Sequence, residues 1–260
     1  MNGATMRIPV LAANWKMHKT VKDASAFTRA FTPRVADVSE LEIVLAPPFT
    51  AIAAVADACR DTRIAVAGQD LYWETQGAFT GEISAEMLSE AGASHVIIGH
   101  SERRHLFGDD DTTVNRKAQA AIDAGLTPIV CVGETLDQRE ANQTLEVLAL
   151  QIEHGVRELT ADQVAMLIVA YEPVWAIGTG LTATPDQAQE IHAYIRNRLS
   201  EIAGGEAADR CRLLYGGSVT PDNARALSAE RDVDGALVGG ASLNPDSFAE
   251  IVAACRPRTV

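Results

Sequence analysis

Eight short runs of apolar and β-branched residues recur along the chain, and they restrict the possible folds more than any other feature. The runs are VLAANW, EIVLAP, RIAVAGQ, HVIIGH, TPIVCV, AMLIVAYE, RLLYGG and GALVGG. Continuous apolar runs without strict polar alternation are typical of parallel strands buried on both faces. Eight such strands alternating with helical segments in 260 residues predict an α/β fold, a single-domain (β/α)8 barrel over residues 1–260. An open, doubly wound sheet has the same rhythm and stays possible on rhythm alone.

Three predicted helices late in the chain begin with the same kind of three-residue capping motif. Thr184, Thr220 and Asn244 are each followed by Pro and Asp. This order supplies an N-cap side chain, a proline at the first helical position and an acid in the first turn. The segments between the last strands are therefore predicted to be helices, as the barrel requires.

The chemically distinctive residues follow the carboxyl ends of the predicted strands. Asn14 and Lys16 follow the first strand, GHSERR (99–104) the fourth, and Glu172 the sixth. Paired glycines follow the seventh and eighth strands. In a (β/α)8 barrel these ends meet at one rim, where active sites lie. This placement favours the closed barrel over the open sheet and predicts an enzymatic site at that rim.

Composition excludes some classes of function. The net charge of −13 and pI of about 4.9 argue against a nucleic-acid surface, which usually needs clustered Lys and Arg. An anionic small substrate remains compatible, because backbone N–H groups and one lysine can make a locally positive site. No apolar run approaches the roughly 20 residues of a membrane span, and the N-terminus lacks a signal core. Four widely spaced cysteines indicate neither a zinc site nor a disulfide framework, so we expect a cytoplasmic protein.

Two glycine pairs predict a phosphate site. YGGSVTPDN (215–223) and LVGGASLNPD (237–246) each place two glycines and a serine between a strand and a helix start. Glycine lets the backbone approach a ligand closely, and helix N-termini direct free N–H groups at anions. Either pair alone could be a tight turn, but two at successive strand ends favour phosphate binding.

Lys16 and His100 are candidates for electrostatic and acid–base roles. Lys16 could be a solvated lysine, but it lies among apolar neighbours two residues after Asn14, and an ammonium there would offset the charge of a phosphate or oxyanion. His100 could be a structural, hydrogen-bonded histidine, or it could exchange protons near neutral pH. The neighbouring Arg103 and Arg104 are interpreted as members of an ion-pair network.

Glu172 ends an apolar strand and is followed by a segment with the composition of a lid. Its carboxylate is expected at the mouth of the barrel, where apolar surroundings would raise its pKa toward neutrality and suit a general base. A buried Glu–Arg pair is the structural alternative. Pro173 stiffens the exit from the strand, and glycines at 178 and 180 allow the apolar stretch between them and Glu172 to swing over a site.

Together these stretches resemble the triosephosphate isomerase family. The matching segments are AANWKMH, GAFTGE, IIGHSERR, VCVGET, AYEPVWAIGTG, YGGSV and LVGGASL. They occur in the family order and cover nearly the whole chain, except the ends at 1–6 and 256–260, which we expect to be frayed. The resemblance implies interconversion of dihydroxyacetone phosphate and D-glyceraldehyde 3-phosphate through an enediolate, a step of glycolysis and gluconeogenesis.

The resemblance also implies roles for individual residues. Glu172 would be the base and His100 a neutral electrophile, a division of labour already described for this enzyme family. Lys16 would stabilise the enediolate and the phosphate, and Asn14 would position the substrate. The remaining implied residues bind phosphate or support the site: Gly178, Ser218, Gly239 and Gly240 as phosphate ligands, Ser101 beside Glu172, Glu102 behind Lys16, and Trp175, Glu134 and Tyr215 around the lid.

A long loop, WETQGAFTGEIS (73–84), is interpreted through the same resemblance. Its tip residues Phe79 and Thr80, with Gln69 nearby, would reach a second subunit and brace Lys16 and Asn14 there, which implies a homodimer. Asp70 stands where the resemblance leads us to expect Asn more often.

Two other functions remain open at this stage. One is the same chemistry on a related phosphorylated ketose, erythrulose phosphate, and the other is a non-catalytic barrel that binds a partner. We expect no metal and no organic cofactor. The segment Gly178–Ala183 matches a dinucleotide-binding pattern, but it lies too far from the strand end to bind NAD.

Overall fold

The computed structural model describes residues 7–176 and 182–257 of the chain. Eight parallel strands close into a barrel in sequence order, so the predicted fold is confirmed. The strands are β1 (Val10–Asn14), β2 (Glu42–Ala46), β3 (Ile64–Gly68), β4 (His95–Ile98), β5 (Thr127–Val132), β6 (Ile168–Tyr171), β7 (Arg212–Tyr215) and β8 (Gly235–Val238). Closure occurs between β1 and β8, where Val10 is in register with Gly235.

Alternate residues along the strands fill the inside of the barrel. This inner cluster consists of small and branched side chains, among them Val10, Ala12, Ile97 and Leu214, all nearly or fully buried. The other strand residues form a larger outer cluster with the apolar faces of the helices. Because both faces are covered, the strands are apolar throughout, which explains the continuous runs in the sequence.

Twelve α-helices surround the strands within the described residues. They are α1 (Val21–Phe31), α2 (Ile52–Cys59), α3 (Ala85–Glu90), α4 (Ser101–Leu106), α5 (Asp111–Asp123), α6 (Leu136–Glu140), α7 (Thr144–Gly155), α8 (Ala161–Met166), α9 (Pro185–Ala203), α10 (Gly205–Arg210), α11 (Pro221–Ser228) and α12 (Pro245–Ala254). The three predicted starts are confirmed at α9, α11 and α12, each with proline in its first turn. No helix in residues 7–176 and 182–257 combines the length and apolarity needed to cross a bilayer.

The chain termini are only partly described. Residues 1–6 and 258–260 lie outside the described residues. Arg256, within the tail expected to fray, is described and forms ion pairs with Glu40 and, through Nη1 at 2.9 Å, with Asp37.

Candidate active site

A cavity of about 410 Å³ opens at the rim formed by the carboxyl ends of the strands. Seven of the residues selected from the sequence line it: Asn14, Lys16, His100, Glu172, Ser218, Gly239 and Gly240. Gly178 and the rest of the segment 177–181 lie outside the described residues. Residues from five different strand ends therefore converge on one space, as the barrel geometry predicts.

His100 and Glu172 are in direct contact with each other where they line this cavity. His100 Nε2 lies 2.9 Å from Glu172 Oε1, and both side chains are almost fully buried. His100 caps the N-terminus of α4, and its Nδ1 accepts a hydrogen bond of 3.2 Å from the backbone N–H of Glu102. Since an accepting Nδ1 carries no proton, the neutral imidazole has its proton on Nε2, which is the nitrogen that faces the cavity.

The pKa of His100 reflects two opposing causes. Burial is the largest single cause and lowers it, but the charge and hydrogen bond of Glu172, together with the charge of Glu102, raise it more, and the net direction is upward. Lys16 acts in the same direction as burial. A ligand that separated the ring from Glu172 would remove the main cause of the increase and favour the neutral imidazole.

Glu172 is held as an ionised carboxylate, which corrects the expectation from the sequence. Burial does raise its pKa, but His100, the backbone N–H of Ser101 and Lys16 together lower it below the ordinary value. The Ser101 N–H donates to Oε2 at 2.8 Å, so Ser101 contacts Glu172 through its backbone. The sequence showed the apolar strand around Glu172 but not these three partners, and the expected direction was therefore wrong.

Glycines beside Glu172 are required by close packing. A Cβ at Gly133 would lie 1.8 Å from the Glu172 carbonyl oxygen, and one at Gly216 would lie 2.8 Å from Glu172 Cγ. A side chain at Gly133 would displace the Glu172 backbone and one at Gly216 its side chain, so the chain carries glycine at both positions beside Glu172.

Lys16 is positioned by three partners from different parts of the chain. Its Nζ lies 2.6 Å from Glu102 Oε1, its backbone N–H donates to Asn14 Oδ1 at 2.9 Å, and its carbonyl accepts from Gln69 Nε2 at 2.9 Å. Lys16 also has a left-handed backbone with φ of 51°. Three contacts thus hold a conformation that is unfavourable for a non-glycine residue.

The glycine pair after β8 forms the wall opposite β4. Gly239 precedes a 3₁₀ turn at Gly240–Leu243, and the Lys16 side chain passes close to Gly239, where an added Cβ would lie 3.6 Å from Lys16 Cε. Ser218 lines the same cavity after β7. An anion at this wall would meet backbone N–H groups with the Lys16 ammonium nearby.

Comparisons with known proteins agree with this geometry. The family model described as triosephosphate isomerase matches residues 9–255. The chain belongs to the triosephosphate isomerase family. The protein of that name from Trichlorobacter lovleyi is 56% identical over 247 residues, covering 95% of this chain and 98% of the relative. The one from Solibacter usitatus is 55% identical over 247 residues, covering 95% and 99%. The crystal structure of triosephosphate isomerase from Bartonella henselae superposes with a TM-score of 0.87 at 41% identity, covering 96% of this chain and all of that one.

The family resemblance selected Trp175 and Glu134 as partners near the lid, and the structure brings them together. Trp175 Nε1 donates to Glu134 Oε1 at 3.0 Å, and the Tyr171 hydroxyl donates to the same oxygen at 3.1 Å. Arg139 completes the group, with Nη1 3.1 Å from that oxygen and the guanidinium 4.3 Å from the Trp175 ring centroid. Glu134 is fully buried, so Arg139 supplies the charge that such a carboxylate needs.

Tyr215 contacts Ala183, which follows the segment predicted to be the lid. Its hydroxyl accepts a hydrogen bond of 3.2 Å from the backbone N–H of Ala183. The lid predicted over 177–180 lies outside the described residues.

The loop predicted from the family resemblance to contact a second subunit is exposed at its tip. Phe79 is 38% exposed, and Thr80 is exposed beside it. Gln69 instead faces inward and binds the carbonyls of Lys16 and Ala46 in its own chain, at 2.9 and 2.8 Å. Gln69 therefore supports Lys16 directly within its own chain.

Asp70 belongs to a group of four charges, three of them buried and Arg103 partly exposed, whose members other than Arg103 the sequence did not reveal. Lys117 Nζ lies 2.7 Å from Asp70 and 2.9 Å from Asp109, and Arg103 Nε lies 2.8 Å from Asp70 and 3.0 Å from Asp109. Burial raises the pKa of Asp70 to about 6 against the attraction of Lys117 and Arg103. The next arginine in the chain after Arg103 is Arg104, whose Nη1 lies 2.6 Å from Asp111 Oδ1. The predicted ion pairing of Arg103 and Arg104 is thus observed.

Sequence reasoning missed Tyr171, Arg139 and Lys117. Tyr171 lies in the sixth predicted strand and was counted as apolar core. Arg139 and Lys117 lie in helical segments rich in charge, where a buried cation has no local pattern to distinguish it from solvated neighbours. The family resemblance of the segment VCVGET, which ends one residue after Glu134, was the only motif that pointed to the region around Arg139.

Proposed function

We propose that this chain is an aldose–ketose isomerase that interconverts dihydroxyacetone phosphate and D-glyceraldehyde 3-phosphate. The observation that carries the proposal is the convergence of Glu172, His100 and Lys16 on one cavity in a member of the triosephosphate isomerase family. A carboxylate, an imidazole and an ammonium in this arrangement suit proton abstraction next to a carbonyl.

In the proposed reaction Glu172 removes a proton from one carbon and returns it to the neighbouring carbon. His100 donates from Nε2 to the carbonyl oxygen as negative charge develops there. The contact between Oε1 and Nε2, 2.9 Å in the structure, would be replaced by contacts of both groups with the substrate. A placed base contributes roughly 10²–10⁴-fold, and each oxyanion donor about 10²–10³-fold. Proton transfer of this kind needs no metal and no organic cofactor.

Lys16 and the backbone N–H groups of the adjoining wall, formed by the glycine turn after β8, are proposed to bind the phosphate and the enediolate. The Asn14 side-chain oxygen accepts the backbone N–H of Lys16 and so orients Lys16, and Glu102 holds the ammonium at 2.6 Å. Ser218, Gly239 and Gly240 line the cavity on the phosphate side, and Gly178 is proposed to contribute from the lid. Trp175, Glu134 and Tyr215 are proposed to support that lid from its two ends.

A coupled assay tests the function directly. The purified protein should convert D-glyceraldehyde 3-phosphate with a kcat/KM at least about a hundredfold above that for erythrulose phosphate, since an extra hydroxymethyl group must be accommodated in a closed site. Equal or reversed preference would assign the chain to the other ketose. Absence of turnover on both, with phosphoglycolate failing to raise the melting temperature, would support a non-catalytic barrel.

We further propose a homodimer built around the loop tip at Phe79 and Thr80. Exposed apolar side chains that a second subunit could cover include Met17 at 94% exposure, in the loop after β1, and Met87 at 52%, on α3. Exposed methionine and aromatic side chains of this kind are enriched at interfaces relative to solvated surfaces.

The single-domain organisation over residues 1–260 and the cytoplasmic location are also proposals. The closed order from β1 to β8 supports the first. Four buried free cysteines support the second, since reduced thiols are typical of that compartment.

A further inference from the structure

Lys19 lies in the β1–α1 loop with a backbone that lysine rarely adopts. Its φ is 76°, in the left-handed region, three residues after Lys16, whose φ is also positive. Its neighbour His18 is exposed, whereas Lys19 is partly buried. A lysine in this conformation is strained relative to glycine, so its side chain must make contacts that favour the arrangement.

The ammonium of Lys19 binds the end of the glycine turn that follows the neighbouring strand β8. Nζ donates to the carbonyl oxygen of Leu243 at 2.8 Å, a contact between residues 224 apart in the chain. Leu243 ends the 3₁₀ turn Gly240–Leu243, and Gly239 and Gly240 at its other end line the cavity. A cation at the carboxyl end of such a turn interacts favourably with the exposed carbonyls.

Two buried aromatic rings hold the same ammonium. Nζ lies 4.9 Å from the centroid of Phe27 and 5.4 Å from that of Trp15, and these rings pack edge to face at 4.7 Å. Trp15 is fully buried and itself lines the cavity. Cation–π attraction is strengthened when the site is shielded from water. Burial lowers the pKa of Lys19 while Asp23 opposes the change, which agrees with a shielded ammonium.

The turn that Lys19 binds is itself held rigidly at its other side. The Ser242 hydroxyl lies 2.7 Å from the carbonyl oxygen of Gly239 and 3.0 Å from that of Val238. Motion of the turn relative to Lys16 is therefore limited by β8 on one side and by the Lys19 ammonium on the other. Lys16 and the turn lie on adjoining walls of the cavity, after β1 and β8, and the phosphate is proposed to bind against both.

We infer that Lys19 is a positioning residue that fixes the spacing between the Lys16 loop and the Gly239–Gly240 turn, and thereby sets the affinity for the phosphate group. This inference rests on the proposed function, because it assigns the phosphate to these two walls. Lys19 touches neither the reacting carbons nor the phosphate. Its effect passes through the backbone of the two segments.

The test compares Lys19→Met, Lys19→Arg and Lys19→Gly with the parent. Lys19→Met keeps the aliphatic packing and removes the ammonium, and it should raise KM for D-glyceraldehyde 3-phosphate and Kd for phosphoglycolate by roughly threefold to tenfold. The kcat should change by less than about twofold, because the base and electrophile are untouched. Lys19→Arg, which retains a cation, should recover most of the loss. Lys22→Met, an exposed lysine on α1, is the matched control and should leave both constants unchanged.

A substrate without phosphate separates positioning from general damage. Deuterium exchange into unphosphorylated D-glyceraldehyde, followed by NMR, should be equal for Lys19→Met and the parent within about twofold. An equal loss on both substrates, or a lower melting temperature with unchanged KM and Kd, would overturn the inference. If Lys19→Met fails to fold, Lys19→Gly, which relieves the backbone strain, decides by the same constants. A parent without isomerase activity refutes the proposed function instead, whereas an active parent with unaffected variants refutes only the role of Lys19.

Discussion

Glu172 Oε1 lies 2.9 Å from His100 Nε2, and the other carboxylate oxygen accepts the Ser101 N–H at 2.8 Å. Both oxygens of the proposed base are therefore occupied by donors of one segment, the N-terminus of α4. This pairing keeps Glu172 ionised although it is buried. These contacts must therefore be replaced by contacts with the carbon and oxygen atoms of the substrate before proton transfer can begin.

Glu172→Asp should lower kcat by about 10²–10³-fold with a much smaller change in KM. The shorter side chain withdraws the carboxylate by roughly one methylene from the carbon that it must deprotonate, and misplacement of this size is costly. Steady-state kinetics with D-glyceraldehyde 3-phosphate measure both constants. Glu250→Asp on the exposed surface of α12 is the control, and a kcat for Glu172→Asp within twofold of the parent would remove Glu172 from the role of base.

Lys16→Met should raise KM and lower kcat, each by about tenfold or more. The ammonium is proposed to attract the phosphate in the ground state and the enediolate in the transition state, so its loss affects binding and rate together. Glu102, which pairs with Lys16 at 2.6 Å, would add an uncompensated negative charge near the substrate. A change confined to KM would limit Lys16 to phosphate binding.

The free energy of unfolding of the Asp70→Asn variant, relative to that of the parent, should increase as pH rises. The pKa of Asp70 is raised to about 6 in the folded protein, so its stabilising contribution is complete below the unfolded value near 4 and is lost as pH rises through 6. Between pH 4 and pH 7 the difference in the free energy of unfolding, variant minus parent, should rise by on the order of 2–3 kcal/mol. Asp109 remains to pair with Lys117 and Arg103.

Urea unfolding of both proteins at several pH values, at one protomer concentration, measures this difference. A difference that is constant with pH, or one that falls as pH rises, would contradict the raised pKa. The second outcome would mean that the two cations outweigh burial at Asp70.

Arg139→Met should lower the free energy of unfolding by about 1–3 kcal/mol, because it leaves the buried Glu134 carboxylate without its cation. For a chain of this length the melting temperature should fall by roughly 2–4 °C per kcal/mol. Arg139 also packs on Trp175 at 4.3 Å, so we expect kcat to fall as well. Arg139→Lys retains the charge and should recover most of the stability. Equal stability of parent and Arg139→Met would show that Trp175 and Tyr171 are sufficient partners for Glu134.

Thr80→Arg should yield monomers with low activity if the loop tip forms the proposed homodimer interface. A long cation at an exposed tip would have to be buried against the second subunit, and burying an unpaired charge is costly. Size-exclusion chromatography with light scattering measures the mass, and the coupled assay measures the activity. A parent that elutes as a monomer would refute the proposal before any variant is made.

The sequence alone determined the architecture and the location of the site. The apolar runs predicted all eight strands, and the motifs at Thr184, Thr220 and Asn244 predicted three helix starts. Both kinds of signal are local, because a strand buried on both faces must be apolar along its length and a helix start needs its cap within four residues. Asn14, Lys16, His100 and Glu172 could be placed at one rim because parallel strands in a barrel all end there.

The tertiary structure decided which groups face one another, and with that the electrostatics. Nothing near Glu172 in the sequence shows that His100, the Ser101 N–H and Lys16 together outweigh its burial, so the direction of its pKa could be determined only from the fold. Likewise Lys19 and Leu243, 224 residues apart, meet only because β1 closes against β8. Periodicity and capping are properties of adjacent residues, whereas a pKa or a buried ion pair depends on distances across the barrel, which no local pattern records.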